Sequence, residues 1–389
     1  MDVWPGVIEG HSFFLRGTIT ENSLRITLGE GNTPLVKAVR LPGELGFRGE
    51  LWFKQEFQNP SGSFKDRGMV VAVSKALEGG FLVGACASTG NTLASAALYG
   101  ARFGMKIIGI VSRGNVARGK LAQADRAGAK IIQIDGTFDD ALQVVKDLTT
   151  NYKIAILNSL NPNRIEGQKT AAIEIVRQLG GKMPYYHFIP VGNGGNMWAY
   201  WVGYKESRER QAEQLMSQHV MDTFYPLDME ALRDEALFHL LQHFGSLPKM
   251  MGYQAEGAAP IVRGAPVRDP KTIASAIRIG NPARWKEAER ARDESSGLID
   301  SVSDTEILEA GDLLSRSEGI QCEPASAACF AGFVKALGNG QVQNSEGITV
   351  TCTLTGHFLK DQQTPESRMN EIPQFPADAD MIARYVGVE

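Results

Sequence analysis

The sequence predicts an α/β protein of two three-layer domains with mainly parallel sheets. Short apolar runs alternate with longer stretches of helical spacing, the pattern of parallel strands joined by crossover helices. The apolar runs are continuous, which fits strands buried on both faces. Glycines close the helical stretches, as stop signals do.

Taken in order, "GEGNTPLVKAV" reads as a turn feeding a short strand, and "ELWFKQEF" as a strand. "RGMVVAVSKALEGG" has helical apolar spacing and ends on a glycine pair. "FLVGACAS" is a strand, and "TGNTLASAALYGARFG" a helix rich in small residues. "KIIGIVS", "NVARGKLAQADRAG", "KIIQID", "TFDDALQVVKDLTTN" and "IAILNSL" continue the alternation. So do "QKTAAIEIVRQLGG", "YYHFIP" and the helical "WAYWVGYKESRERQ". A charged, helical excursion is expected over 206–250, with Met229, Leu232, Ala236, Leu237, Leu240 and Phe244 on one stripe. "KMMGYQAEG" returns to a strand, "DTEILEAGDLLSRSEG" to a helix and "GITVTCTLTGH" to a buried strand. The expected division is a larger domain over 1–50 and 160–389 and a smaller one over 51–159, with a cleft between them.

The 389 residues allow a large core, and 43% apolar with 22% charged residues excludes global disorder. A formal net charge of −4 argues against a nucleic-acid or anionic-membrane coat. No apolar run reaches the roughly 20 residues that span a bilayer. The N-terminus lacks the layout of a secretory signal, and the four cysteines form no CxxC pair, so a cytoplasmic location without disulfides is expected. Cys86, Cys322 and Cys352 sit among apolar or small residues and read as core. Glu235, His239 and His243 share one helical face, but no further metal ligand accompanies them, and a solvated or interface face is the expectation.

Chemistry in parallel sheets collects where strands end and helices begin. Four such turns stand out: "NPSGSFKDRG" (59–68), "ASTGNT" (87–92), "VGNGGN" (191–196) and "TLTGH" (353–357). Lys65 in the first could be a solvated charge, a phosphate clamp or an amine kept for covalent chemistry. "ASTGNT" alone is an acceptable helix N-cap, and a lone glycine-rich turn is commonly only a turn. In "VGNGGN" the glycines would let backbone N–H groups crowd round a phosphate at a helix start. Together, a lysine, a phosphate cradle and a strand-end hydroxyl suit pyridoxal 5′-phosphate, an aldehyde with an anionic tail.

The motifs "GEGNTPL", "NPSGSFKDRG", "ASTGNT", "NSLNPNRIEGQKT", "VGNGGN", "CEPASAA" and "LTGHFLKD" occur in that order, and the chain carrying them resembles the threonine synthases, fold-type-II pyridoxal-phosphate enzymes. The resemblance runs from about Gly29 to Asp361. It implies that Lys65 carries the cofactor covalently beside Phe64, and that Asn91 bonds its 3′-oxygen. It further implies that Gly192, Asn193, Gly194, Gly195 and Asn196 hold the phosphate and that Thr355 meets the pyridine nitrogen. The implied substrate is O-phospho-L-homoserine, converted with water to L-threonine and phosphate. Asn158, Ser159 and Arg164 are candidates for the substrate phosphate, and Ser88, Thr89 and Thr92 for its carboxylate. The resemblance also suggests a homodimer. One motif departs from the family: "SRGNVARGK" has Asn115 where a phosphate-binding lysine is expected, and Lys120 where a second one is kept. A related replacement enzyme acting on phosphoserine and sulfite, such as cysteate synthase, and a non-catalytic binding protein on the same scaffold are the alternatives. Asp66 and Arg67 read as residues steadying the helix start after Lys65.

Overall fold

The computed structural model describes residues 24–88, 90–112, 118–222, 245–361 and 372–387. Ten strands build two sheets. The strands are β1 (Leu35–Lys37), β2 (Glu50–Gln55), β3 (Val83–Ala87), β4 (Lys106–Ser112), β5 (Lys130–Ile134), β6 (Ala155–Ile156), β7 (Tyr186–Pro190), β8 (Lys249–Ala255), β9 (Leu298–Val302) and β10 (Thr349–Leu354). The larger sheet runs β1-β2-β10-β7-β8-β9, and the smaller β5-β4-β3-β6. Only the short edge strand β1 pairs antiparallel; the other pairings are parallel.

The main helices are α1 (Lys65–Glu78), α2 (Asn91–Phe103), α3 (Arg118–Arg126), α4 (Phe138–Asn151), α5 (Asn163–Gln168), α6 (Thr170–Gln178), α7 (Gly195–Asp222), α8 (Trp285–Glu294), α9 (Asp304–Glu318), α10 (Pro324–Gly338) and α11 (Ala379–Val386). Local chemistry marks several ends. Thr137 and Ser303 each form a reciprocal capping box, with Asp140 and Glu306, and Gly319 closes α9 in the left-handed region.

Each sheet is covered on both faces, so both units have three layers. On the large sheet, Phe53, Phe188, Phe330 and Phe333 pack on the α9–α10 side, and Ile189, Trp198 and Ala288 on the α7–α8 side. On the small sheet, Val70, Val73, Leu93 and Tyr99 form one cluster, and Ala85, Ile110 and Val145 the opposite one. Two three-layer units with mainly parallel sheets are the architecture the sequence predicts.

One placement differs from expectation. Strand β2, assigned to the smaller unit by a boundary at residue 51, lies between β1 and β10 in the larger sheet, with Cys352 of β10 opposite Phe53. Its continuous apolar face has partners only there. The helix read over "WAYWVGYKESRERQ" runs from Gly195 to Asp222, so the start of the expected excursion continues that helix. Residues 223–244, with the apolar stripe and Glu235, His239 and His243, lie outside the described residues. Among the described residues, no three metal-type ligands cluster, and no helix is long and apolar enough to cross a membrane.

One contact positions the cleft. Helices α1 and α5 cross backbone to backbone: a Cβ on Gly167 would stand 1.7 Å from the Arg67 carbonyl oxygen, and one on Gly68 2.7 Å from that of Arg164. Any side chain at either glycine would push the helices apart. The crossing brings the start of α1, with Lys65, beside the start of α5, with Arg164.

Candidate active site

The cleft lies at the carboxyl end of the large sheet, where ligands of parallel sheets are expected. It is lined by Phe64, Lys65, Ser159, Arg164, the run Gly192–Met197, Ala276, Ile277, Glu323 and Thr355. Lys65 is the first residue of α1, half-buried, and its Nζ stands 4.1 Å from the centre of the Phe64 ring.

Gly192–Asn196 turns from β7 into α7. Gly194 has φ +80°, and a Cβ there would also lie 2.5 Å from the Arg284 carbonyl oxygen, so both conformation and space require glycine. Gly195 opens α7, whose first amides have no acceptor within the helix. Asn193 is committed to packing: its side-chain oxygen accepts from Ala283 N at 3.2 Å and its carbonyl from Arg284 N at 3.0 Å. Arg284 ties this turn to the 157–160 loop by donating from Nε to the Ser159 carbonyl at 2.8 Å and from its terminal nitrogen to that of Leu160 at 3.1 Å.

Thr355 is buried at the end of β10, its hydroxyl 2.9 Å from that of Ser326. The Ser326 oxygen accepts from Gly356 N at 2.7 Å. Arg164 is fully buried, with a weak 3.4 Å bond to the Leu157 carbonyl and no carboxylate on it among the described residues. Burial pushes its pKa down to about 10, and the Arg284 charge adds to the effect; it is a cation at neutral pH.

The other expected residues stand apart from this wall. Asn158 spends its whole side-chain amide on Ala87, accepting from its N–H at 2.9 Å and donating to its carbonyl at 3.0 Å. It thereby holds the loop after β6 to the end of β3. Ser88 accepts from Gly90 N at 3.1 Å in a turn before α2. Thr92 sits in the first turn of α2, half-buried. Thr89 and Asn115 lie outside the described residues, as does the side chain of Lys120. Asn91 is buried and donates from Nδ2 to Glu323 Oε1 at 2.8 Å, so it meets the cleft wall through Glu323. His357 accepts from Leu359 N through Nδ1 and packs edge-on against Phe57, a local structural role.

Residues 26–222 and 236–356 match the family described as "Pyridoxal-phosphate dependent enzyme". The threonine synthase of Halalkalibacterium halodurans is 45% identical over 96% of this chain and 94% of its own length. That of Mycobacterium tuberculosis is 45% identical over 99% and 97%, and that of Methanosarcina acetivorans 45% over 93% and 83%. The chain belongs to the threonine synthases of the pyridoxal-phosphate dependent enzyme family. Among solved structures, maize serine racemase shares the fold, with a TM-score of 0.62, 18% identity, and coverage of 92% of this chain and 94% of that one. The processed form of threonine deaminase isoform 2 from Solanum lycopersicum does so with a TM-score of 0.63 and 19% identity over 92% and 84%.

Membership makes pyridoxal phosphate the cofactor, and the cleft fits it. Both side-chain polar atoms of buried Asn196 lack a hydrogen-bond partner among the described residues, beside the amides that open α7. That donor set suits a phosphate. A lysine and a buried hydroxyl complete the wall.

Three groups here escaped the sequence reading. Gln168 lines the floor beside Arg164. Glu323 precedes a proline at a helix start and looks like an ordinary first-turn acid. Arg67 looks like a helix-start charge, but it is buried and bonds Glu56 Oε2 at 2.6 Å and both oxygens of Glu174 at 2.7 Å. Of the three, only Glu323 carried a signal, as an acid among small residues in "CEPASAA".

Proposed function

We propose that the chain converts O-phospho-L-homoserine and water to L-threonine and phosphate, eliminating the γ-phosphate and adding water at Cβ. The observation that carries this reading is Arg164, a buried guanidinium in the same cleft as Lys65 with no carboxylate on it among the described residues. Such a group favours a substrate that brings its own anion. Identities of 42–45% to threonine synthases across nearly the whole chain support the same assignment.

In this reading Lys65 Nζ holds the cofactor, Phe64 packs beside it, and the turn Gly192–Asn196 grips its phosphate. Thr355 faces the pyridine nitrogen and Asn91 the 3′-oxygen. Pyridoxal phosphate, when bound, supplies an electron sink that makes the substrate carbons next to the amine acidic. Lys65 Nζ would take and return the protons at those carbons. It is the one lysine lining the cleft among the described residues. Arg164 and Ser159 bind the phosphate that leaves, with Asn158 fixing the loop that carries them. Ser88, Thr89 and Thr92, around the first turn of α2, hold the substrate carboxylate. The smaller unit, starting after β2 and ending near Ser159, carries Lys65 and the carboxylate turn, and the working form is a cytoplasmic homodimer.

The test is direct. Purified holoprotein given O-phosphohomoserine should release phosphate and threonine in equal amounts, and Lys65→Ala should lose both the violet colour and the activity. Turnover of phosphoserine with sulfite in place of phosphohomoserine would overturn the assignment in favour of a replacement enzyme.

A further inference from the structure

Glu323 is the residue before α10, at the N-cap, where an acidic side chain ordinarily folds back onto the helix's own amides. It does not do so here. The carboxylate is 1% exposed, lines the cleft, and accepts from Asn91 Nδ2 at 2.8 Å, 232 residues away in sequence. Asn91 opens α2 of the small sheet, and Glu323 opens α10 of the large one, so the bond bridges the two units.

The neighbourhood is built to hold that carboxylate. Its backbone N–H donates to the Gly356 carbonyl at 2.9 Å. A Cβ on Gly356 would stand 2.3 Å from Glu323 Oε1, so glycine after Thr355 makes the space the carboxylate occupies. In this contact the Asn91 amide nitrogen donates and the carboxylate oxygen accepts. This fixes which way the Asn91 amide is turned. Nδ2 keeps a second hydrogen, and Oδ1 has no partner among the described residues.

We propose that Glu323 is a positioning residue: by holding the Asn91 amide in one orientation, it keeps an N–H available for the 3′-oxygen of the cofactor. The proposal rests on the reading of Asn91 given above. A donor on that oxygen stabilises its deprotonated form, which leaves the proton it shares with the Lys65 nitrogen on the nitrogen. The lysine-bound chromophore is then violet; with the proton on oxygen it absorbs in the near ultraviolet.

The ratio of violet to near-ultraviolet absorbance of the holoenzyme, without substrate, tests this independently of turnover. Asn91→Ala should lower the ratio by about tenfold, the value of one charge-assisted hydrogen bond. Glu323→Ala should lower it by a smaller factor in the same direction, and the double variant should match Asn91→Ala alone. Glu323→Gln, whose carbonyl still accepts from Nδ2, should stay near the parent. Gly356→Ala, which displaces the carboxylate without removing its charge, should follow Glu323→Ala, and it serves if that variant does not fold. An unchanged ratio in Asn91→Ala overturns the Asn91 reading and the proposal with it. A changed ratio there, with parent-like Glu323→Ala and Gly356→Ala, overturns the proposal alone. A Glu323→Gln spectrum equal to that of Glu323→Ala would show that charge, not orientation, is what the residue supplies, and would also overturn it.

Discussion

Two arginines on either side of the α1–α5 crossing are equally hidden from water and differently served. Arg67 has relative exposure of 0% and Arg164 of 1%. Arg67 sits between Glu56 and Glu174, and Lys54 joins Glu174 at 2.7 Å, which gives two cations and two carboxylates. Burial by itself would lower the Arg67 pKa, but Glu174 and Glu56 outweigh it and hold it well above the ordinary value. Arg164 has only carbonyl contact and is shifted the other way. The difference separates scaffold from site. A buried charge that is already matched holds the fold, and one left unmatched is held for a ligand. The matched cluster joins β2, α1 and α6 immediately behind Lys65, so it also fixes where that lysine stands.

The largest effect expected from this contrast is on Arg67. Arg67→Met strands buried Glu56, leaves Glu174 with Lys54 alone, and should cost about 3–5 kcal/mol in a denaturant titration. Arg67→Lys should recover only part of this, because an ammonium cannot bridge two carboxylates as the fork does. A parent-like midpoint for Arg67→Met would mean that the cluster is not holding the two units together.

Acid should reveal the same cluster with a definite sign. Burial alone would raise the Glu174 pKa, yet Arg67 and Lys54 hold it far below the ordinary value of 4.5. A depressed carboxylate contributes stability fully above its unfolded pKa and loses it as pH falls toward the folded value. The deficit of Glu174→Gln relative to the parent should therefore be largest at pH 7 and shrink steadily below about pH 4. A deficit that grew with acid would reverse the assignment.

Arg164 should behave oppositely. Arg164→Met removes an unmatched buried charge, so stability should hold or rise by about 1 kcal/mol. Its kcat/KM for the phosphorylated substrate should fall about a hundredfold, the worth of a charged contact to phosphate. Loss of stability equal to that of Arg67→Met would erase the distinction between the two sites.

Much of the fold and the centre of the site could be read from residue order, for a physical reason. Strands β4, β7, β8 and β10 are continuous apolar runs that cannot be soluble alone, and the turns after β7 and β10 carry glycines or hydroxyls where helix amides need partners. What was illegible has equally specific causes. Helix α10 is apolar nearly all round because the large sheet and its neighbours cover it, so no periodic stripe marks it. Strand β9 carries Asp300 and Ser301 because it lies at the edge of its sheet. Strand β6 is cut to two residues because Asn158 replaces backbone pairing with side-chain bonds to Ala87. The two arginines were indistinguishable on paper: whether a cation is matched depends on Glu174, 107 residues from Arg67, and only the folded chain brings them together.

The smallest effect follows from mass action and tests the contrast without a substrate. If Arg164 is held for an anion, inorganic phosphate should bind the holoenzyme, in which the cofactor's own phosphate is already in place. At about ten times its Kd, phosphate should stabilise the parent by about 1.4 kcal/mol. That is about 1–3 °C in a melting curve for a chain of this size. Arg67 has no capacity left for an added anion, so variants of the matched cluster should keep the phosphate increment even where their baseline is low. Arg164→Met should lose the increment while its baseline stays put. Sulfate should act like phosphate, and chloride at equal ionic strength should not, which separates a bidentate site from general screening. An increment that survives in Arg164→Met would move the anion site elsewhere in the cleft and leave Arg164 as a buried charge without a purpose in binding.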